Sequence, residues 1–439
     1  MQFSEDERLR RAELPKQRAK EYHRLYKGKI EISLKVPVRS YDDFAIWYTP
    51  GVAEPCLEIK ENEDAVFEYT NRGNTVAIVT DGTRILGLGD IGAAAGLPVM
   101  EGKALLFKYL GGVDAIPICL GTKNAAEIIS AVRWLSPTFG GINLEDIETP
   151  KCFGILETLR EKLEIPVWHD DQQGTALVTL AALINALKVV GKDLKDVKIA
   201  FVGAGAAGIS CFKYVVKAGA RPKNIVMCDS KGILHPARKD LSDEKRRVAE
   251  LTSPEGAGGI AEALEGADVC ISMARPGPGV IKKEWLRRMN DGAVSFNCAN
   301  PVPEIWPWEA KEAGVKIVGT GRSDFENQIN NALGFPAVFR GALDVAARKI
   351  TDDMCLAAAR AIAEFAEERG LSESYIIPKL EETEVFIREA VAVGLEAMKQ
   401  GVARKKLSKQ ELEEAAAAKI KRAQEILKLL MREGLVRLP

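Results

Sequence analysis

The chain has 439 residues, which is enough for two or three domains with buried cores. Its 61 basic and 62 acidic residues give a formal net charge of -1 at pH 7, and the two signs are interspersed along the chain. Nucleic-acid binders usually carry a basic stripe, so we expect no nucleic-acid partner. A composition of 46% hydrophobic and 28% charged residues excludes a disordered or fibrous chain.

The sequence predicts a cytoplasmic protein without a membrane partner. No apolar stretch approaches the ~20 residues that span a bilayer, and the starting segment MQFSEDERLR is too charged for a signal peptide. The cysteines form no CxxC pair, which argues against a disulfide framework and against a zinc ribbon.

The hydrophobic pattern predicts an α/β fold. Segment 1–40 is typical of an arm, with a charged helix ending near Gly28 and an extended run after it. In segment 41–190 short apolar runs (TVAIV, DAIPICL, GGINL, IPVWH) alternate with helical stretches, which predicts a parallel sheet covered by helices. The helix GTALVTLAALINALKVVG at its end is apolar almost all round, so we expect it to be buried between two lobes.

A second alternating series fills segment 191–350, with the runs DVKIAFVG, NIVMCD, ADVCISM, GAVSFNCAN and VKIVGTG. It predicts a Rossmann-like domain. Segment 351–439 reads as helical and is predicted to pack as a C-terminal tail on the other domains.

A glycine-rich turn in the second series predicts dinucleotide binding. The strand KIAFV runs into GAGAAG, which opens a helix, and the next strand ends at Asp229. Glycines at these positions suit a tight turn, a close approach to a pyrophosphate and close helix packing. The predicted contacts of the turn are Gly203, Gly205, Ala206, Ala207 and Gly208. The alternative is a purely structural turn.

Asp229 favours NAD over NADP, because an acidic residue at this place normally bonds the adenosine ribose 2′-hydroxyl. Lys231 stands two residues later and could accept a 2′-phosphate if Asp229 turned away, so NADP stays open.

Acidic pairs follow two predicted strands of the first series. Glu145 and Asp146 come after GGINL, whereas Asp170 and Asp171 come after IPVWH. Since the carboxyl ends of parallel strands share one edge of a sheet, these carboxylates are predicted to converge around Mg²⁺ or Mn²⁺. The alternative for each pair is helix capping.

Basic and phenolic residues complete the candidate set. Arg84 lies in a glycine-rich segment and could hold a carboxylate bidentately. Lys103 stands at the predicted head of a helix, where the positive end of the dipole would lower its pKa and favour a general base. The alternative is that both are ordinary surface cations. Tyr48, in WYTPGVAEPC, could donate a proton near a lysine or be a packed aromatic residue.

Six motifs occur in the order found in malic enzymes of the compact prokaryotic type, which the chain therefore resembles. They are YTPGVAEPC, DGTRILGLGDIG with its trailing MEGK, LEDI, HDDQQGTA, VGAGAAG and NPVPEI. The resemblance covers nearly the whole chain. It implies a substrate and metal domain over 41–190 and an NAD(P)-binding domain over 191–350.

The resemblance also implies an activity and a set of roles. The expected reaction is oxidative decarboxylation of L-malate to pyruvate and CO₂ with NAD(P)⁺ and Mg²⁺ or Mn²⁺, together with decarboxylation of oxaloacetate, in a homodimer. The implied metal ligands are Glu145, Asp146 and Asp171, with Lys103 as general base and Tyr48 as general acid. The implied malate contacts are Arg84, Asn300 and Asn330 or Asn331, and Asn300 also serves the cofactor.

Two other classes share part of this pattern. A hydroxy-acid or amino-acid dehydrogenase would have the nucleotide fold but would not need convergent carboxylates. A non-catalytic NAD-sensing protein would bind the cofactor and turn over nothing.

Overall fold

The computed structural model, which describes residues 5–252, 254 and 256–438, contains two separate sheets within that part of the chain. The first sheet is parallel and has the strand order β2-β1-β3-β4. Its strands are β1 (Thr75–Thr80), β2 (Asp114–Cys119), β3 (Gly141–Leu144) and β4 (Val167–His169). β3 and β4 are buried throughout, because helices cover both faces of a parallel sheet.

The second sheet has the order β10-β9-β8-β5-β6-β7 and is parallel except for β7. Its strands are β5 (Ile199–Val202), β6 (Ile225–Asp229), β7 (Gly232–Ile233), β8 (Val269–Ser272), β9 (Val294–Asn297) and β10 (Ile317–Thr320). The strand order reverses at β5, which pairs with β6 on one side and β8 on the other. Doubly wound sheets bind ligands at the carboxyl ends of the strands beside such a reversal.

Helices connect and cover the strands. They are α1 (Glu5–Tyr26), α2 (Asp43–Trp47), α3 (Ala53–Glu61), α4 (Val66–Tyr69), α5 (Ala93–Gly111), α6 (Ala125–Leu135), α7 (Lys151–Lys162), α8 (Thr175–Val190), α9 (Ala206–Lys217), α10 (Asp243–Thr252), α11 (Ile260–Leu264), α12 (Lys283–Leu286), α13 (Pro307–Glu312), α14 (Phe335–Asp344), α15 (Asp352–Glu368), α16 (Glu384–Lys399) and α17 (Lys409–Arg432). The predicted α/β alternation and the helical C-terminal region are confirmed.

The apolar helix α8 is buried and packs against α9 and α15. Together with the π-helical turn Asp170–Gly174, α8 forms a stretch of 21 residues that is long and apolar enough to cross a membrane. Of the 18 consecutive residues that are most apolar in this stretch, 72% are buried inside the protein. The prediction that no stretch approaches membrane-spanning length is therefore wrong for this segment. Its burial is typical of a core helix.

The C-terminal helices pack on the first α/β part. α14 and α17 both lie against α5. A Cβ at Gly111 would lie 2.6 Å from the carbonyl oxygen of Pro336, and one at Gly112, whose φ is +62°, would lie 2.7 Å from that of Lys419. Only glycine allows this approach of the backbones. The predicted domain limit at residue 350 thus falls between α14 and α15, although α14 already contacts the first part.

Candidate active site

Three carboxylates meet at the carboxyl edge of the first sheet. Glu145 and Asp146 follow β3, and Asp171 follows the neighbouring strand β4. One oxygen from each lies within 4.8 Å of the others, and the Asp146 backbone N–H donates a hydrogen bond of 2.9 Å to Asp171 Oδ2. We call these three residues the acidic cluster. Their side chains make no helix-capping hydrogen bond in the described part of the chain, which removes the capping alternative.

Burial makes the acidic cluster unfavourable without a cation. Burial and the charge of Asp171 raise the pKa of Asp146 to about 8. The pKa of Glu145 also lies well above its usual range because of burial, although Lys103 opposes this effect. Among the described residues Asp146 Oδ2 is buried and has no hydrogen-bond partner. Three oxygen donors with one unpaired atom suit Mg²⁺ or Mn²⁺, so the residues present fit the implied metal.

Lys103 lies beside the acidic cluster and is buried. Its Nζ is 3.0 Å from Glu145 Oε1, contacts Asp170 Oδ2, and stands 4.1 Å from the centre of the Phe335 ring. Burial lowers the pKa of the amine, but Asp170 and Glu145 outweigh burial and raise it. The reasoning that the helix dipole lowers this pKa is wrong, because α5 begins at Ala93 and Lys103 lies in its interior.

Asp170 also belongs to the site, although the metal ligands implied by the sequence include only its neighbour Asp171. The Asp170 side chain is fully buried, with Oδ2 bonded to Lys103 and Oδ1 accepting a 3.0 Å hydrogen bond from Trp168 Nε1. The sequence signal was present, since Asp170 adjoins Asp171 after a predicted strand. What the sequence did not contain was the direction of the side chain, which in the π-helical turn Asp170–Gly174 reaches Lys103.

His169 contacts the acidic cluster as a packed neighbour. Its Nδ1 lies 3.7 Å from Asp171 Oδ2, and burial lowers its pKa. Neither ring nitrogen has a hydrogen-bond partner within the described residues.

The residues predicted to contact malate differ in what they contact in the structure. The Arg84 backbone N–H donates to the Asp146 carbonyl at 3.0 Å, and its side chain is exposed. Asn331 packs against Gly174, beside Asp170. Asn330 uses its amide within its own loop, where Oδ1 accepts from the Ala332 N–H at 2.9 Å and Nδ2 donates to the Gly321 carbonyl at 3.2 Å.

Tyr48 lies on the surface of the chain, whereas Lys103 is buried. Tyr48 lies in the turn between α2 and α3 with 72% of its surface exposed. Within the described residues no hydrogen bond joins its hydroxyl to Lys103.

The glycine-rich turn after β5 is suited to a pyrophosphate. Gly203 has φ +113°, and a Cβ there would collide with the Met273 carbonyl, while one at Gly208 would collide with the Gly203 carbonyl. Gly205 has nothing within 4 Å of its Cβ position, so a ligand can approach it. Helix α9 begins at Ala206, followed by Ala207, and its N-cap Gly205 makes no side-chain cap hydrogen bond. The backbone N–H groups of its first turn can therefore bind an anion.

The two halves of the site meet at the glycine-rich segment of the first part. A Cβ at Gly87 would lie 2.7 Å from the Asn300 carbonyl oxygen and 2.7 Å from Pro276 Cγ. Asn300 and the loop after β8 therefore lie against the segment that carries Arg84.

Comparisons with known protein families, sequences and solved structures all match this chain to malic enzymes. The family description "Malic enzyme, N-terminal domain" matches residues 27–160, and "Malic enzyme, NAD binding domain" matches residues 172–291 and 315–400. The chain is 48% identical to the bifunctional malic/malolactic enzyme of Bacillus subtilis, covering 89% of this chain and 95% of that protein. It is 50% identical to the NAD-dependent malic enzyme of Geobacillus stearothermophilus, covering 86% and 78%. The crystal structure of Entamoeba histolytica malic enzyme superposes with a TM-score of 0.97 at 48% identity, covering 100% of this chain and 93% of that one.

Proposed function

Because the chain belongs to the malic enzyme family, we propose that the acidic cluster and Lys103 carry out oxidative decarboxylation of L-malate to pyruvate and CO₂ with NAD(P)⁺. The observation that supports this assignment is the convergence of Glu145, Asp146 and Asp171 within 4.8 Å, next to a buried lysine. A dehydrogenase without a metal would have no use for such a cluster. Decarboxylation of added oxaloacetate belongs to the same proposal.

The metal ion and the dinucleotide would each bind to its own part of the site. Glu145, Asp146 and Asp171 would hold Mg²⁺ or Mn²⁺, and the turn after β5 would hold the dinucleotide. When bound, the cation supplies a Lewis acid for the C2 oxygen of malate and the nicotinamide supplies the hydride acceptor.

The side chains of the protein bind malate and move its protons. Lys103 Nζ takes the proton of the C2 hydroxyl. Since Glu145 and Asp170 stabilise the ammonium form, Lys103 would become the neutral amine, and so able to accept this proton, once a cation at Glu145 weakened that stabilisation. Arg84 pairs with a malate carboxylate, and Tyr48 protonates C3 after CO₂ has left.

The homodimer is also part of the proposal. Between residues 30 and 52 the chain exposes apolar side chains that we call the N-terminal apolar surface: Ile30, Ile32, Leu34, Val36, Val38, Tyr41, Phe44, Ile46, Trp47, Tyr48 and Val52. Ile32 is 92% exposed and Leu34 is 80% exposed. Exposed apolar side chains concentrated in one segment are typical of a protein interface, and a second copy of the chain is the proposed partner. A cytoplasmic location without membrane or nucleic-acid partners stays a prediction.

Replacing Lys103 tests the assignment of the base. Lys103→Ala is expected to lower kcat for malate oxidation by about 10²- to 10⁴-fold, the usual contribution of a general base, while Mn²⁺ binding persists because the three carboxylates remain. Steady-state absorbance of the reduced nicotinamide with Mn²⁺, and Mn²⁺ titration followed by electron paramagnetic resonance, measure the two effects.

Lys108→Ala is the matched control. Lys108 lies on the same helix but outside the acidic cluster, and its Nζ is 2.6 Å from Asp114 Oδ1. The variant should keep near-normal activity. Malate oxidation that EDTA does not reduce would contradict the proposed metal dependence, and a near-normal kcat of Lys103→Ala would contradict its assignment as the base.

A further inference from the structure

Asp229 has no free lone pair for a ribose hydroxyl. It ends β6, and the adjacent Cys228 carbonyl accepts a 2.9 Å hydrogen bond from the N–H of Gly203 in the glycine-rich turn. Oδ1 accepts from Arg238 Nη1 at 2.9 Å and from the Lys231 backbone N–H at 2.9 Å. Oδ2 accepts from Arg238 Nη2 at 3.1 Å and from Lys245 Nζ at 2.8 Å. A carboxylate offers about four acceptor sites, and all are used.

Arg238 is equally saturated. Its Nε and Nη2 donate to the two oxygens of Asp240 at 3.1 and 2.9 Å. Besides Asp229, its Nη1 also donates to the backbone carbonyls of Gly232 and Ile233 at 3.2 and 3.3 Å. The guanidinium therefore ties Asp229 to Asp240 and has no N–H left for a ligand.

Two lysines retain unused donors at the same place. Within the described residues the one partner of Lys231 Nζ is Asp240, at 2.9 Å, and 68% of the Lys231 side chain is exposed. In the part of the chain that the structure describes, Lys245 Nζ contacts Asp229 alone, and 28% of the Lys245 side chain is exposed. Each ammonium has three N–H donors, so each can bond a further acceptor. Three cationic side chains, of Lys231, Arg238 and Lys245, surround the carboxylates of Asp229 and Asp240. These five side chains together carry one net positive charge.

We propose that Lys231 and Lys245 bind the adenosine 2′-phosphate of NADP(H), so that NADP is preferred over NAD. The inference rests on the proposed function and departs from the expectation that Asp229 is a free acceptor for the 2′-hydroxyl. In the structure Asp229 instead positions Arg238 and Lys245. A phosphate meets unused donors and a net positive charge there, whereas a 2′-hydroxyl meets no free carboxylate oxygen.

Two mononucleotides isolate the contribution of the phosphate. Adenosine 2′,5′-bisphosphate and 5′-AMP differ only by the 2′-phosphate, and calorimetric titration of the full chain measures both dissociation constants. The bisphosphate is expected to bind at least tenfold tighter, since charge-assisted hydrogen bonds to two ammonium groups are added. Lys231→Ala and Lys245→Ala should each weaken the bisphosphate about tenfold and leave 5′-AMP unchanged.

Lys195→Ala is the matched control, because Lys195 pairs with Asp193 at 3.0 Å and is 56% exposed, but precedes β5 at the opposite end of the sheet. It should change neither affinity. Equal binding of the two mononucleotides, or NADH binding tighter than NADPH in a fluorescence titration, would overturn the inference alone. Failure of both dinucleotides to bind would overturn the proposed function as well.

Discussion

At the scale of single residues, burial decides what the ionisable groups of this protein can do. Asp170 is buried and bonded to Lys103, so its charge is balanced and its oxygens are occupied. Asp146 is buried with an oxygen that has no partner among the described residues. The first arrangement positions a base, whereas the second is suited to a cation, although both residues are aspartates that follow strands of the same sheet.

Glu389 is a buried acid outside the site, and it should make stability depend on pH. It lies on α16, and among the described residues neither carboxylate oxygen has a hydrogen-bond partner. Burial raises its pKa well above the usual value. The folded state therefore keeps a proton that the unfolded state releases above about pH 4.3, so this acid lowers the free energy of unfolding as pH rises, by about 1.4 kcal/mol per pH unit until its folded pKa.

Glu389→Gln removes that dependence. We expect the difference in unfolding free energy between variant and parent, from urea denaturation, to shift in favour of the variant between pH 5 and pH 7. The exposed Glu413→Gln on α17 is the control and should show a constant difference. A constant difference for Glu389→Gln would mean that the carboxyl ionises freely in the folded protein.

At the scale of elements, a buried ionic network joins the C-terminal helices to the first sheet. Arg340 and Asp344 of α14 form a bidentate pair with hydrogen bonds of 3.0 and 2.8 Å. Arg340 also donates to Asn74 Oδ1 at 2.6 Å, just before β1, and Lys419 of α17 contacts Asp344. These contacts, with the glycine approach at Gly111, fix α14 and α17 on α5, whose interior holds Lys103.

Removing one partner of this pair should be costly. Asp344→Ala leaves the Arg340 charge buried without a counter-ion and is expected to lower the free energy of unfolding by about 3–5 kcal/mol, measured by urea denaturation at pH 7 and constant protein concentration. Replacing both residues with apolar ones should cost much less. Lys188→Ala is the control, because it breaks an exposed 2.6 Å pair with Glu367 and should cost under about 1 kcal/mol. If Asp344→Ala cost as little as Lys188→Ala, the network would contribute little to the free energy of unfolding.

At the scale of the whole molecule, one chain does not enclose all of the proposed site residues together. Glu145, Asp146 and Lys103 are buried and Asp171 is half-buried, whereas Tyr48 lies on the N-terminal apolar surface with 72% of its area exposed. If a second copy covers that surface, the phenol becomes enclosed between two chains. We therefore expect Tyr48 to act with Lys103 of the other copy.

Mixing two inactive variants tests this expectation. A heterodimer of Tyr48→Phe and Lys103→Ala would contain one intact pair of Tyr48 and Lys103 if the pair forms between chains. Random re-association should then restore up to about a quarter of the parent activity, because half the dimers are mixed and each holds one complete site of two. Sedimentation must show dimers, and Ile32→Asp, which places a charge in the apolar surface, should reduce both dimer and recovered activity. An inactive mixture that contains mixed dimers would place the pair within one chain.

The sequence by itself determined the α/β alternation, the glycine-rich turn after β5, and the strands after which Glu145, Asp146 and Asp171 lie. These features are local, since hydrophobic period and turn chemistry are written in neighbouring residues. The convergence of the carboxylates followed from one general rule, that parallel strands end at a common edge.

Only the tertiary structure decided the states and partners of the charged groups. It put Lys103 inside a helix between Glu145 and Asp170, filled the acceptor sites of Asp229 with Arg238 and Lys245, and left Tyr48 on an exposed surface. The physical reason is that pKa values and hydrogen-bond capacity depend on burial and on side chains distant in sequence, whose directions no local pattern encodes.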